Sequence, residues 1–156
     1  MREFQIRLIQ NQQEKEAMYY QRWLVLRAPI NMEIGTEKDE YEDSALHIIA
    51  VCEQQIIGSA RLREISKELG SIAYLSVLPE FQSQGIGTAL TKKIIEIAKQ
   101  KPLKSLRVMT RISASKFYKR IGFIETGEPF QFLDIPHQFM YFNLLFSEEY
   151  LQPLSQ

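Results

Sequence analysis

The sequence predicts a mixed α/β fold, and three observations carry that expectation. Short apolar or alternating runs recur in the first half, at Phe4 to Leu8, Leu46 to Cys52 and Ile56 to Glu64, as strands do. Residues 86–98 put Ile86, Ala89, Leu90, Ile94, Ile97 and Ala98 on one helical face. Between the strand-like run Ile72 to Leu78 and that helix stand Pro79 and the hexapeptide 82–87, Gln-Ser-Gln-Gly-Ile-Gly. A strand therefore runs through a glycine-bearing turn straight into a helix.

The elements follow in order. After the strand Phe4 to Leu8, a helix over about Gln12 to Leu26 carries Ala17, Met18, Tyr20, Trp23, Leu24 and Val25 and is closed by Pro29. Residues 31–44 are a polar, acidic connection. A strand pair follows, turned at Glu53-Gln54-Gln55, and then the strand that ends at Val77. The helix after the glycine turn reaches about Lys99, ahead of Pro102. A strand at Leu106 to Met109, a helix near 114–121 and two strands near Phe123–Glu125 and Met140–Phe146 complete the order. Arg61 and Arg63, two apart on a strand, share a face and read as surface ion pairs to the acidic connection. Phe130, Phe132, Phe139, Tyr141 and Phe142 suit a core or a homodimer contact equally.

Length and composition bound the function. A chain of 156 residues suits one domain, here 1–146, with 147–156 as a loosely held tail. The 19 basic and 19 acidic side chains cancel, which disfavours nucleic acid and anionic membrane as partners. The lone Cys52 has no internal disulfide partner and reads as a small buried filler. No apolar stretch approaches a membrane span, and Met1-Arg2-Glu3-Phe4 opens no signal-peptide core. The expectation is a soluble, cytoplasmic protein.

The strand–turn–helix aims unpaired backbone N–H groups and the positive end of a helix dipole at one spot. Gly85 and Gly87 let the backbone bend there and approach a ligand closely, so the expected ligand is an anion of diphosphate type. A dinucleotide fold would need a third glycine and a later acidic residue, and a triphosphate loop would need Gly-Lys-Ser/Thr; neither is present. Two histidines, His47 and His137, have the side-chain type best suited to take a proton near neutrality. Each reads equally as a hydrogen-bonded structural residue. Glu33, Glu37, Asp39 and Glu42 either hold a cationic substrate or form a solvated loop.

The pattern Gln82-x-x-Gly85-x-Gly87 resembles the coenzyme A pyrophosphate loop of the GNAT acyltransferase superfamily. Residues 114–123, Ala-Ser-Lys-Phe-Tyr-Lys-Arg-Ile-Gly-Phe, resemble its Ala-x-x-Phe-Tyr-x-x-x-Gly-Phe helix in the expected order and separation. The resemblance implies antiparallel N-terminal strands and a parallel pair splayed into a wedge that holds acetyl-CoA. It implies that Leu75, Ser76 and Val77 form a bulge for the pantetheine arm. Gln82, Ser83, Gln84, Gly85, Ile86, Gly87 and Thr88 would cradle the pyrophosphate, with Arg111 and Phe117 beside the coenzyme. Tyr118 would lie near the thioester sulfur and protonate the departing thiolate.

The front half, Leu26-Arg27, Asp39-x-x-Glu42, His47 and Gly58-x-Ala60-Arg61-Leu62, looks like one bacterial branch of the superfamily, and His137 matches its histidine before the last strand. By that likeness Arg27, Glu33, Asp39, Glu42 and His47 line the substrate pocket, and Tyr118 and His137 are catalytic. Two departures stand out: Ile34-Gly35 replaces a Glu-Gln, and Arg111 replaces an asparagine. The activity implied is direct acetyl transfer from acetyl-CoA to a primary amine, the acceptor being small or cationic, with no metal. Two alternatives stand beside it. Gly35-Thr-Glu37-Lys-Asp39-Glu-Tyr41 resembles the acidic segment of acyl-homoserine lactone synthases, which use acyl-carrier protein. The other is a non-catalytic CoA-binding sensor or scaffold.

Overall fold

The computed structural model describes residues 3–146; the expected tail, 147–156, lies outside the described residues. Strand β1 (Gln5–Leu8) leads to α1 (Gln12–Leu26), whose first turn is capped by Asn11 Oδ1 accepting from Glu14 N at 2.9 Å. A 3-10 turn at Ala28–Ile30 precedes the acidic connection and another, Glu42–Ser44, ends it. Then come β2 (Leu46–Cys52), β3 (Gln55–Glu64), β4 (Leu69–Val77), α2 (Ile86–Lys99), β5 (Ser105–Arg111), α3 (Ser115–Ile121), β6 (Ile124–Phe132) and β7 (Ile135–Asn143). They form one seven-stranded mixed sheet in the order β1-β2-β3-β4-β5-β7-β6, with β4 and β5 its parallel pair. Two compact units share these elements among the described residues: 3–63 with Ala73–Ile94, and Glu64–Ile72 with 95–146.

In the first unit, β2 and β3 pair antiparallel, with Ile49 opposite Ser59 and a bulge at Ala50/Val51. Ile48, Ile49, Ala50, Ile57, Ala60 and Leu62 are buried, as are Ile86, Leu90 and Ile94 of α2. Cys52 is buried too, the filler expected. Gly58 sits where strand and helix meet: a Cβ there would stand 3.0 Å from the Ser76 carbonyl oxygen and 3.2 Å from a Leu90 methyl carbon. The exposed face of α1 departs from the sequence expectation. Ala17, Tyr20 and Leu24 face solvent, whereas Met18, Tyr19, Gln21 and Arg22 are buried.

In the second unit, β4 and β5 run parallel from Leu69/Ser105 to Ile72/Val108. Strand β5 also pairs antiparallel with β7, and β7 with β6. The last two strands form a longer hairpin than their sequence suggests. A register shift between Thr126 and Phe130 absorbs Gly127 and Pro129, and Leu133 and Asp134, with φ of 55° and 60°, close a two-residue turn. The strand expected at Met140–Phe146 starts earlier and ends at Asn143, with a 3-10 turn over Leu144–Phe146. Within the aromatic set Phe142 packs on Phe123 at 5.2 Å and Phe130 on Phe139 at 5.0 Å, while Phe132 is exposed.

Replacing Gly58 by Val forces its branched side chain against the Ser76 carbonyl, which is backbone and yields little. The substitution is expected to destabilise by about 1–3 kcal/mol, lowering the thermal midpoint by roughly 3–10 °C. An unchanged midpoint would mean that β3 and α2 are not packed this closely.

Candidate active site

The turn after β4 is built by short-range constraints. Pro79–Phe81 make one 3-10 turn, with Phe81 buried as its anchor. Gln82 Nε2 donates to the Val77 carbonyl at 2.9 Å, and Gln84 Nε2 to the Glu80 carbonyl at 3.3 Å. Both glutamine side chains thus brace the turn itself. Ser83 and Gly85 have φ of 62° and 84°, and the ladder of α2 opens with Ala89 N–H donating to the Gly85 carbonyl at 3.0 Å. The N–H groups of the first helical turn, at Ile86, Gly87 and Thr88, have no acceptor within the helix.

A Cβ on Gly85 would meet no protein atom within 4 Å. Glycine is therefore favoured there by the left-handed backbone and not by crowding. Gly87 does not share the special backbone expected of it: it lies inside α2 without a positive φ, and its carbonyl accepts from Thr91 Oγ1 at 2.9 Å. Ile86 turns its side chain into the core.

Of the β4 residues expected beside the coenzyme, Leu75 and Val77 are half-buried and Ser76 is buried. The Ser76 hydroxyl is held in a triad. Gln21 Nε2 donates to Ser76 Oγ at 3.0 Å, Ser59 Oγ donates to Gln21 Oε1 at 2.6 Å, and the two hydroxyls lie 3.3 Å apart. The irregularity of the strand sits one residue before the expected bulge: Tyr74 has φ 57°.

In the second unit, Tyr118 lies on α3 with its ring clamped edge-on between Phe117 at 5.0 Å and Phe123 at 5.3 Å. Burial pushes its phenol up, well above the ordinary value. Gly122 ends the helix at φ 123°, where a Cβ would stand 3.0 Å from the Phe142 ring, so this position demands glycine on two counts. Half-buried Arg111 ends β5 opposite His137 in the β5–β7 register. His137 is buried among rings, with Phe130 at 6.1 Å and Phe132 at 5.4 Å. Its Nδ1–H donates to the Ile135 carbonyl at 2.7 Å, a tautomer that leaves the Nε2 lone pair able to accept a proton.

The acidic connection folds onto two arginines of the first unit. Glu42 Oε2 accepts from Arg22 Nη1 at 2.9 Å and Asp39 N at 3.0 Å, and stands 3.1 Å from Arg61 Nη1. Arg61 Nη1 donates to Asp39 Oδ1 at 2.6 Å, and Arg22 also donates to the Glu37 carbonyl. Burial pulls the Arg22 guanidinium down, against the pull of Glu42. Burial also opposes the charge of Asp39, but Arg61 and the Tyr41 N–H outweigh it and hold the carboxyl below its usual range. Arg61 is thus a buried residue, a correction to the surface ion pair expected; Arg63 stacks on Tyr41 at 3.8 Å.

Of the expected pocket residues, the fold brings Asp39, Glu42 and His47 together. Arg27 donates to the Thr36 carbonyl at 3.1 Å, tying the connection to the end of α1, and Glu33 is exposed and apart from the network. His47 lies behind Glu42, its Nε2–H donating to the Glu42 carbonyl at 2.9 Å while Nδ1 is buried without a partner. Sequence reasoning missed Gln21, Arg22 and Tyr74. Arg22 was findable, because it stands one turn beyond Met18 on the same helical face; nothing in the sequence marks the backbone of Tyr74.

Burial pulls the His47 imidazole down from its ordinary value, so the folded state holds it neutral. Its contribution to stability is complete above the unfolded value, about 6.5, and is lost as pH falls below it, because the unfolded chain takes the proton more readily. Denaturant unfolding at pH 7.5 and 5.5 is expected to show a decline that His47→Gln lessens, the difference in slope being at most about 1.4 kcal/mol per pH unit. Equal slopes would mean that His47 is accessible to protons in the fold.

The Acetyltransferase (GNAT) domain profile matches residues 27–144. An uncharacterized N-acetyltransferase of Methanocaldococcus jannaschii is 32% identical over 115 residues, 72% of this chain and 47% of that protein. A Lactobacillus plantarum protein assigned as an N-acetyltransferase superposes with TM-score 0.83 at 19% identity, over 91% of this chain and 99% of that one. A GNAT-family acetyltransferase from Elizabethkingia anophelis, solved with acetyl-CoA bound, gives TM-score 0.67 at 23% identity over 90% and 97%. With a profile match over most of its length, the chain belongs to the GNAT acetyltransferase family.

Proposed function

We propose that the protein transfers the acetyl group of acetyl-CoA directly to a primary amine. The observation that carries this is the 82–88 turn, where left-handed Ser83 and Gly85 deliver the chain into the first turn of α2. In this reading the coenzyme supplies an activated thioester, and its pyrophosphate takes the N–H groups of Gly85 to Thr88. Ser76 contributes backbone only, since its hydroxyl is engaged with Gln21 and Ser59.

The amine nitrogen attacks the thioester carbonyl carbon, the C–S bond breaks, and the thiolate leaves with a proton. Tyr118 is assigned to that last step as the donor to the departing sulfur, its buried phenol being protonated at neutral pH. His137 suits the removal of the amine proton through Nε2, its Nδ1–H being fixed on the Ile135 carbonyl. Arg111 and Phe117 flank the coenzyme arm in the same scheme. Arg27, Asp39, Glu42 and His47 shape the acceptor side; the buried members do so by holding the acidic connection in place.

The test is thiol release from acetyl-CoA across a panel of primary amines. Tyr118→Phe, which keeps the ring packing, is expected to lower kcat by roughly 100-fold with acetyl-CoA affinity unchanged. Loss of coenzyme binding in that variant would make Tyr118 a structural residue. Absence of thiol release with every amine, or release only from an acyl-carrier protein, would overturn the transfer reading.

A further inference from the structure

We infer that the open cleft between α1 and the β2–β3 hairpin is a binding site for an uncharged sugar, with the sugar ring against Tyr20 and its hydroxyls on the glutamines of the rim. The cleft has a volume of about 910 Å³ and lies wholly within the first unit, a size at which small-molecule sites are found. None of the residues assigned to the coenzyme or to the acceptor lines it. The site therefore goes beyond the acetyl-transfer reading and does not rest on it.

On the helix side, Ala17, Tyr20 and Leu24 stand at i, i+3 and i+7 of α1 and line the cleft instead of the core. Tyr20 is 54% exposed, and its ring is held against Trp23 with 5.9 Å between centres. The floor, Val51, Ile56 and Leu78, is apolar. A sugar ring carries an apolar face of C–H groups, and a fixed aromatic ring beside an apolar floor is what such a face covers.

The rim supplies hydrogen bonds without a field that selects ions. Gln13 on α1, and Gln5, Gln54 and Gln55 across from it, are exposed, and their carboxamides bond to no other described residue. A carboxamide sets an acceptor oxygen beside two N–H donors, which matches hydroxyls that donate and accept at once. Of the three charged residues at the cleft, Arg7 and Glu14 neutralise each other through hydrogen bonds of 2.9 and 2.6 Å, leaving Glu53.

The turn of the hairpin is the second sign of a ligand. Glu53 and Gln54 have φ of 49° and 68°, a left-handed pair for which Asn-Gly is the favoured sequence. Neither side chain makes a hydrogen bond or ion pair with a described residue that would offset this strain, and strain of this kind gathers at ligand sites. An extended peptide fits less well than a sugar. Strands β2 and β3, which form the floor, are paired on both sides and offer a peptide no free backbone edge.

The experiment is NMR titration of the protein, isotope-labelled at its glutamine side chains, with maltotriose, cellotriose and triacetylchitotriose, and with N-acetyl-tetraalanine amide as the peptide control. At least one sugar is expected to shift the side-chain amide signals of the rim glutamines, and the peptide to leave them in place. Tyr20→Ala should weaken sugar binding by roughly 10-fold. Gln54→Gly should weaken it by roughly 3- to 10-fold, while the thermal midpoint holds or rises because glycine relaxes the left-handed turn. That combination separates a lost contact from a lost fold. No shift with any of the three sugars, equal shifts with the peptide, or wild-type sugar affinity in both variants would overturn the inference.

Discussion

The Glu42 carboxylate is the contact on which the first unit turns. Two guanidinium groups, Arg22 from α1 and Arg61 from β3, are withdrawn from water, and neither is tolerable there without an anion. One oxygen of Glu42 serves both and also takes the N–H of Asp39. That single atom binds the helix, the strand and the acidic connection to each other. Removing it would leave Arg22 buried without a carboxylate and Arg61 with Asp39 alone, a loss of about 3–5 kcal/mol by comparison with other broken buried pairs. Once the arginines are held, Tyr74 is stacked in place, so the conformation of β4 depends on a residue in a distant 3-10 turn.

Strand β4 carries this constraint toward the 82–88 turn. Its first residues run beside β5 as far as Ile72, and two residues later the backbone turns left-handed at Tyr74. Beyond it the chain is fastened again, by the Gln21–Ser59–Ser76 triad and by the Gln82 side chain on the Val77 carbonyl. Held at both points, the strand aims the N-terminus of α2. The polar groups buried along this path are thus positioning devices, and a sequence free to fill these places with apolar side chains would keep the sheet but not the aim.

Much of the fold was legible because it rests on local signals. Pro29, Pro102 and the period of apolar residues bound the helices, and α1 and β2 span the residues their sequence suggests. The turn at 82–88 was legible for the same reason: glycine spacing and a following helix are local. The failures share another cause. Gly127 and Pro129 argue against a strand, yet a bulge accommodates both. Tyr20 and Leu24 read as core but face solvent, while Arg22 and Gln21 lie inside, because their partners come from residues 37 to 76. No window along α1 contains those partners. Of the residues expected at the pocket, Asp39, Glu42 and His47 converge, but Tyr74, which the network surrounds, carries no mark in the sequence of its backbone conformation.

The central claim is that the turn at 82–88 is built to take the diphosphate of coenzyme A. The measurement that tests it most directly is thermal stabilisation by acetyl-CoA, CoA and ATP, for the wild type and for Gly85→Val. Val places a branched side chain at a left-handed position, over the backbone that the diphosphate would approach in this account. The account predicts a raised midpoint with both coenzyme species, none with ATP, and no response in the variant. A wild-type midpoint indifferent to acetyl-CoA and CoA would contradict it, and so would an undiminished response of Gly85→Val.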